Sequence, residues 1–455
     1  MVRITGARVK ALLDDYDHEV EFPAEWPFVI IYGPNGVGKT KLLESVYYLS
    51  SQRFSLLSGI PFKWLEITYE DGVTVTAFKQ SHLIDEMSED HSAALIIELH
   101  DNAERRPVRF TYTANRSGIP SAFRHLIEAE TTWEQIGPDR WRDARDGEIV
   151  SWLDLQNRPD FFELQRRYDL PSLTQLASNK EEVPRKLNAR LSGSPVHFIE
   201  TQRLVFNGPH TFGNSREDTI SNYSDDMQTR LERAQANNSF QAQQIDRTFP
   251  QRILTSVGAD SSEASIRAHY QRQNEQRKIL ADLGLVDVQP DLDLPDTEMA
   301  PWQRRVLQTY LNDTDERLGT FTHIVDRVTL FLEIINTRFT NKFVRASTRY
   351  GIEIVRRSDR KKIPPRDLSS GEQHELVLLY DLIFNVPQNA LVLIDEPEIS
   401  LHVAWQKSFT RDIERVAQLA DLRFMIATHS PQIINKSWNR TAALGGYDAG
   451  SGEEY

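Results

Sequence analysis

Hydrophobic positions fall into three patterns along the chain, and each predicts a different element. The first is the unbroken run: Phe28-Val-Ile-Ile31, Leu391-Val-Leu-Ile394 and Phe424-Met-Ile-Ala427. A continuous apolar run of this length reads as a strand buried on both faces, as in parallel sheets. Val196-His-Phe-Ile-Glu200 reads as a further strand. The second pattern is alternation, in Trp64–Tyr69, Val73–Ala77 and Ala94–Leu99, with turn signals at Asp71-Gly72 and Asp101-Asn102. That period predicts an antiparallel β subdomain. Short strands are expected within 2–31 and 343–356. A hairpin is expected within 131–152, with Trp133, Trp141 and Trp152 in its core or at its edge. The third pattern is helical spacing, over Leu42-Leu43-Val46, 227–245, 262–283, 301–340, Leu376–Phe384 and Trp405–Leu419. Residues 206–226 read as polar and irregular, and 286–301 as a Pro- and Asp-containing linker. The helices between 205 and 342 read as a lobe or short arm, too short for a long coiled coil.

Polar residues at the ends of the unbroken runs carry the candidate chemistry. Phe28–Ile31 feeds into Gly33-Pro-Asn-Gly-Val-Gly-Lys-Thr40. This matches the phosphate-binding loop G-x-x-x-x-G-K-[ST]. Gly33, Gly36 and Gly38 permit backbone angles and a close approach that side chains would block. The N–H groups of this loop, which Pro34 alone does not supply and Asn35 and Val37 do, then form an anion nest at a helix start. Lys39 would reach the β- and γ-phosphates, and the Thr40 hydroxyl would ligate Mg²⁺.

The run Leu391–Ile394 ends in Asp395 and Glu396, and Pro397 stops it. Adjacent carboxylates are poor core residues. They suit the C-terminal edge of a parallel sheet, where ligands of α/β proteins sit. There Asp395 would hold a metal ion, and Glu396 would take a proton from an attacking water. The plainer alternative is an acidic turn facing solvent. The third run ends at Thr428-His429-Ser430, which makes His429 a candidate γ-phosphate sensor. Leu368-Ser-Ser-Gly-Glu372 precedes a helix, and its serines could also be ordinary N-caps. His82–His91 holds histidines and carboxylates without a spacing that fixes ligand geometry, so it reads as a solvated acidic loop.

Composition narrows this picture. At 455 residues the chain exceeds one compact core, so two or three lobes are expected. A hydrophobic share of 39% and a charged share of 26% fit a soluble globular protein. With no cysteine, disulfides, thiolate zinc sites and cysteine nucleophiles are excluded. A net charge of −13 leaves no global basic field for nucleic acid, although a local basic groove stays open. Arg267, Arg272, Arg277, Arg304 and Arg305 are interleaved with acids and read as a solvated face, with a DNA-contacting face as the alternative. Asp14, Asp15 and Asp17 interrupt any apolar leader, and no run reaches the roughly 18 residues a membrane helix needs. A cytoplasmic, non-membrane protein is the expectation.

Taken in order, the phosphate loop, Leu368–Glu372, the acidic strand end and the strand-end histidine resemble the ATP-binding-cassette ATPase head within the AAA family. The branch is the one that includes RecF, the SMC proteins, and OLD-type and defence-system ATPases. Leu368–Phe384, Leu391–Gln406 and Ala427–Ile434 look most like ATPases of the Septu, retron and PARIS anti-phage systems. The resemblance covers 1–50 and 345–435. It implies an α/β P-loop NTPase of ABC-ATPase head type, with an antiparallel β subdomain and an inserted helical lobe. The implied segments are an N-terminal ATPase lobe (1–55), a β-rich subdomain (56–195), a strand leading to a glutamine loop (196–204), the helical lobe (205–342), a C-terminal ATPase lobe (343–440) and a flexible tail (441–455).

The implied cofactors are ATP and Mg²⁺. Lys39 and Thr40 would bind phosphate and Mg²⁺, Gln202 would coordinate Mg²⁺ and the lytic water, and Asp395 would support the metal. Glu396 is implied as the general base and His429 as the switch histidine. Ser369, Gly371 and Glu372 belong to the signature that contacts ATP on the opposite subunit, and Ser400-Leu401-His402 takes the position of the loop after the acidic strand. Ser370 and Glu372 depart from the transporter signature, which has Gly and Gln there. A homodimer or higher homo-oligomer that sandwiches ATP is implied.

Two functional classes follow. One is a defence-system ATPase switch that controls a separate effector, a nuclease or toxin. The chain is expected to leave no room for the nuclease domain that OLD-type proteins carry. The other is a RecF- or SMC-like repair clamp that binds DNA directly. A nucleotide-locked scaffold without turnover is a third reading, which Glu396 argues against.

Overall fold

A computed structural model describes residues 2–22, 26–80, 94–101, 103, 106–112, 121–136, 140–145, 147, 149–151, 155, 183–200, 216–255, 262–287, 294–399 and 403–445. The chain divides into two compact units. One comprises Met1–Glu21 and Gly36–Val196, the other Phe22–Asn35 and His197–Tyr455. Strands β1 (Ile4–Leu12), β2 (Tyr16–Glu21) and β3 (Phe28–Tyr32) open the chain, followed by helices α1 (Lys39–Ser50) and α2 (Phe54–Gly59).

The first unit is built on a six-stranded antiparallel sheet. β4 (Trp64–Tyr69), β5 (Thr74–Gln80), β6 (Ala94–His100) and β7 (Val108–Tyr112) extend it in the order β2-β1-β4-β5-β6-β7. β1 and β2, grouped above with the N-terminal ATPase lobe, are members of this sheet. Their burial alternates, as it does in β4, so one face of each strand enters the core. Helix α3 (Ser121–Glu130) precedes a small sheet of β8 (Trp133–Gln135), β9 (Arg140–Asp143) and β10 (Ile149–Ser151). Trp133 and Trp141 are fully buried there, with Ile127 and Val150. Helix α4 (Arg185–Ser192) is tied back to the large sheet. Arg190 pairs with Asp71 at 2.8 Å and lies over the Tyr69 ring.

The second unit centres on a five-stranded sheet. β11 (Val196–Glu200) and β14 (Leu391–Asp395), β15 (Arg423–Thr428) and β16 (Thr441–Ala443) join β3 in the order β11-β14-β15-β3-β16. β14, β15, β3 and β16 run parallel. Asp395 stands opposite Ala427, Ala427 opposite Ile31, and Thr428 opposite Tyr32, so three strands end at one edge. Thr441–Ala443, placed above in the flexible tail, form the strand beside β3. Three short residues carry no period of their own, so only the ladder reveals them.

Around this sheet lie α5 (Arg216–Thr255), α6 (Glu263–Asp282), α7 (Pro301–Gly319) and α8 (Thr322–Arg338). α5 is a 40-residue helix, about 60 Å long at 1.5 Å per residue. It begins inside the stretch read above as irregular. Ile220, Tyr223, Met227 and Leu231 recur at helical spacing and are all buried, so one apolar stripe holds a polar sequence helical. The span 301–340 is two helices, broken between Gly319 and Thr322. Within the lobe Arg267 is taken up by Glu263 and by the carbonyls of Pro295 and Thr297.

The hairpin β12 (Lys342–Ser347) and β13 (Gly351–Arg356) is clamped on two sides. Asn336 of α8 exchanges two hydrogen bonds with Val344, at 2.8 and 2.6 Å. Ser224 of α5 donates to the Ile352 carbonyl and accepts from the Ile352 N–H. Gly351 is required there: its φ is +60°, and a Cβ would lie 1.9 Å from the Ser224 carbonyl oxygen. Then follow α9 (Ser370–Tyr380), α10 (Val403–Ala420) and the single turn α11 (Pro431–Ile434). A buried cluster runs from Phe28 and Ile30 through Val392, Ile394 and Phe424 to Leu376 of α9 and Phe331 of α8. Each such side chain contributes about 1.5–3 kcal/mol of hydrophobic stabilisation. Among the described residues no helix is long and apolar enough to cross a membrane.

Gln202, Ser400-Leu401-His402, His82–His91, Trp152 and residues 446–455 of the tail lie outside the described residues.

Candidate nucleotide site

The phosphate loop straddles the division of the chain. Gly33, Pro34 and Asn35 leave β3 in the second unit, and Gly36 to Thr40 belong to the first. In the first unit, Gly36 and Gly38 both adopt φ +87°. A Cβ on Gly36 would meet nothing within 4 Å, so that side of the loop stands open. A Cβ on Gly38 would lie 2.9 Å from the Leu12 side chain, so this glycine is fixed by both angle and space. The His18 ring nitrogen Nε2 lies 2.7 Å from the Val37 carbonyl oxygen and braces the loop from β2. Lys39 and Thr40 open α1, and the Lys39 side chain is buried. An open, left-handed glycine beside a helix start is the cradle that a phosphate fits.

In the second unit the strand ends bring two predicted residues together. Asp395 closes β14 and is half-buried. Glu396 follows with φ +45°, a left-handed angle that a non-glycine residue holds only when its surroundings insist. Its N–H donates to the Ala427 carbonyl at 2.8 Å, and its own carbonyl accepts from Ile399 at 3.2 Å. That turn aims its carboxylate across the edge, where Glu396 Oε1 lies 3.4 Å from His429 Nε2.

One residue that the sequence reading passed over completes this edge. Glu398 Oε1 accepts from Thr428 Oγ1, from the His429 N–H and from the Ser430 N–H. The signal was present in the sequence as a third carboxylate directly after Asp395-Glu396-Pro397.

Ser369, Gly371 and Glu372 lie at the start of α9. Ser369 is its N-cap. Its hydroxyl accepts from the Glu372 N–H, and the Glu372 carboxylate accepts from the Ser369 N–H at 2.8 Å. This reciprocal pair is a capping box. Lys342 of β12 adds an ion pair to Glu372 at 2.8 Å. Burial alone would raise the Glu372 carboxyl, but the bonds from Lys342 and Ser369 outweigh it and hold the group below its usual range. The reading of this turn as an N-cap is therefore realised for Ser369. Gly371 faces open space, with nothing within 4 Å of a Cβ built on it.

Among the described residues no group of three or more His, Cys, Asp or Glu side chains could hold a metal by itself. Mg²⁺ characteristically takes one or two protein oxygens and completes its shell with water and substrate phosphates. A hydroxyl at Thr40 and a half-buried carboxylate at Asp395 are donors of that class.

Residues 205–435 match the model of a family described as "AAA domain, putative AbiEii toxin, Type IV TA system". The match covers just over half of the chain. The chain belongs to this family. The AAA domain so identified takes in α9, the acidic strand end and His429, and begins beyond the phosphate loop. Together with the phosphate loop this makes the chain an AAA-type P-loop ATPase by family. No curated protein matches it. Several solved structures superpose on it only loosely. An SMC head domain from Pyrococcus furiosus with an extended coiled coil, bound to the C-terminal domain of ScpA, gives a TM-score of 0.33 at 11% identity over 95% of this chain and 91% of that one. The SMC head domain from Thermotoga maritima gives 0.30 at 10% identity over 98% and 100%.

Proposed function

We propose that this AAA-type protein hydrolyses ATP with Mg²⁺ and works as a nucleotide-gated dimer that controls a separate effector. The observation that carries the hydrolytic part is the Glu396–His429 pair, 3.4 Å apart where the parallel strands end. Glu396 is the general base that takes a proton from the attacking water, and His429 holds the γ-phosphate end of the nucleotide and reports its loss. Lys39 binds the β- and γ-phosphates, and the N–H groups of Asn35 to Gly38 wrap them. Thr40 of the phosphate loop and Asp395 of the strand edge each offer an oxygen of the kind Mg²⁺ would take. The bound ion would neutralise charge on the phosphates. Phosphoryl transfer of this kind is positioning plus electrostatics, which a rigid strand edge supplies.

The gating part rests on α9. Ser369 and Gly371, at a helix start whose Gly371 face is open, serve the nucleotide of a second copy, with the positive end of the helix toward its γ-phosphate. Closure then requires ATP, and hydrolysis releases it. The family's description, "putative AbiEii toxin, Type IV TA system", supports a toxin–antitoxin setting with a second polypeptide as partner.

Wild type and Lys39→Ala should be compared for binding of ATP and release of phosphate. Wild type binds and turns over, and Lys39→Ala does neither. Nucleotide binding by Lys39→Ala at wild-type affinity would refute the phosphate-loop assignment. Copurification with Glu396→Gln and ATP addresses the effector. A stoichiometric second polypeptide supports the switch, and protected DNA fragments alone would replace it with a DNA clamp.

A further inference from the structure

We propose that Glu398 is a positioning residue that sets the Glu396–His429 pair. The proposal rests on the ATPase reading for its kinetic consequence and on geometry alone for its structural one. Glu398 lies in the single turn Pro397–Ile399 that follows Glu396. Its Oε1 accepts from the Thr428 hydroxyl at 2.8 Å, the His429 N–H at 2.7 Å and the Ser430 N–H at 3.1 Å. The Ser430 N–H is shared with Thr428 Oγ1 at 3.0 Å. Gln406 of α10 closes the clamp from behind. Its amide donates to the Glu398 carbonyl at 3.2 Å, and its oxygen accepts from the Ser430 hydroxyl at 2.9 Å.

The turn after β14 and the turn after β15 are thus held together at the side chain and main chain of one residue. Glu396 sits two positions before that residue, and the N–H of His429 is bonded directly to it. A carboxylate that accepts several N–H and O–H donors makes strong, short bonds. The distance between base and histidine is therefore a consequence of the Glu398 clamp. Glu398 is not a second base. One oxygen is committed to the His429 turn, and the other is buried.

The test compares wild type, Glu398→Ala, Glu398→Gln, His429→Ala and the double variant Glu398→Ala/His429→Ala. Loss of alignment at a reacting pair costs about 100-fold in rate. Glu398→Ala should lower kcat by that order and change ATP affinity far less, because Lys39 and the phosphate loop are untouched. Glu398→Gln retains an acceptor oxygen of the same shape and should restore most of the rate. In the His429→Ala background, adding Glu398→Ala should cost nothing further, because residues acting through one another are not additive. Amide exchange at His429 and Ser430 should rise in Glu398→Ala and stay protected in Glu398→Gln.

Wild-type kcat in Glu398→Ala would overturn the proposal. So would a full additional loss in the His429→Ala background, or unchanged exchange at 429 and 430. If wild type shows no turnover, the ATPase reading fails, and the exchange measurement still decides the clamp. If Glu398→Ala does not fold, Thr428→Val removes one donor alone. It should slow turnover several-fold and loosen the 429–430 amides, and wild-type behaviour there would again refute the clamp.

Discussion

The exit edge of the parallel sheet and the start of α9 are both short polar motifs against apolar runs, yet they use their side chains in opposite ways. At the sheet edge, the ladder and Glu398 satisfy the backbone, and Glu396 and His429 are left facing each other with 27% and 30% of their side chains exposed. At α9, Ser369 and Glu372 are turned onto their own backbone, and Lys342 holds Glu372 as well. The cause is elementary. A strand's terminal groups are paired by neighbouring strands, whereas the first N–H groups of a helix lack intrahelical partners and draw nearby side chains to them. What α9 can offer an outside anion is the helix end itself, the open face of Gly371 and the hydroxyl hydrogen of Ser369, whose oxygen only accepts in the cap. One motif presents side-chain chemistry, and the other presents a shaped backbone.

Substitutions can break that contrast, beginning with the largest effect. Glu396→Gln should lower kcat by about 10²–10⁴, the usual worth of a general base, with its melting temperature near wild type. Wild-type turnover by steady-state phosphate release would place the base elsewhere. Next is Arg338 at the end of α8, which is buried and pairs with Glu375 of α9 and with Asp412 of α10, the latter at 2.5 Å. Burial pulls its guanidinium below the usual value, against the pull of Asp412. Arg338→Met leaves buried carboxylates without their cation and should cost about 3–5 kcal/mol in urea unfolding. Ser369→Ala removes a cap and should cost about 1 kcal/mol by the same assay.

The smallest effect is one of pH. The Glu372 carboxyl is depressed in the folded state. Its contribution is therefore present above its unfolded value and is lost as pH falls through the folded one. Glu372→Gln should flatten the acid limb of the stability profile, and an unchanged limb would show that the Lys342 bridge contributes nothing.

The legible parts of the fold were those whose pattern has one physical meaning. Leu391–Ile394 and Phe28–Ile31 are apolar throughout because both faces of the sheet are covered, and the α/β class with its parallel sheet followed from them. Membership was harder. β1 and β2 alternate, but alternation does not say which sheet a strand joins, and only the pairing of Ala7 with Ile67 does. The first turns of α5 were hidden because Ile220 and Tyr223 are sparse among polar residues. At the candidate site, residue types at strand ends were readable, but the approach of Glu396 to His429 was not. It depends on the register of Asp395 with Ala427, on the left-handed turn at Glu396 and on Glu398.

The central claim is that the base of one copy and the α9 turn of another serve the same ATP. Gly371→Asp suits its test. A side chain there meets no neighbour, and an acid in the first turn favours a helix, but it would repel a phosphate. Glu396→Gln and Gly371→Asp should each be inactive alone. Mixed, they should recover ATP turnover, because one of the two sites in a mixed dimer pairs an intact base with an intact turn. Turnover of the mixture no greater than the sum of the separate variants would contradict the claim.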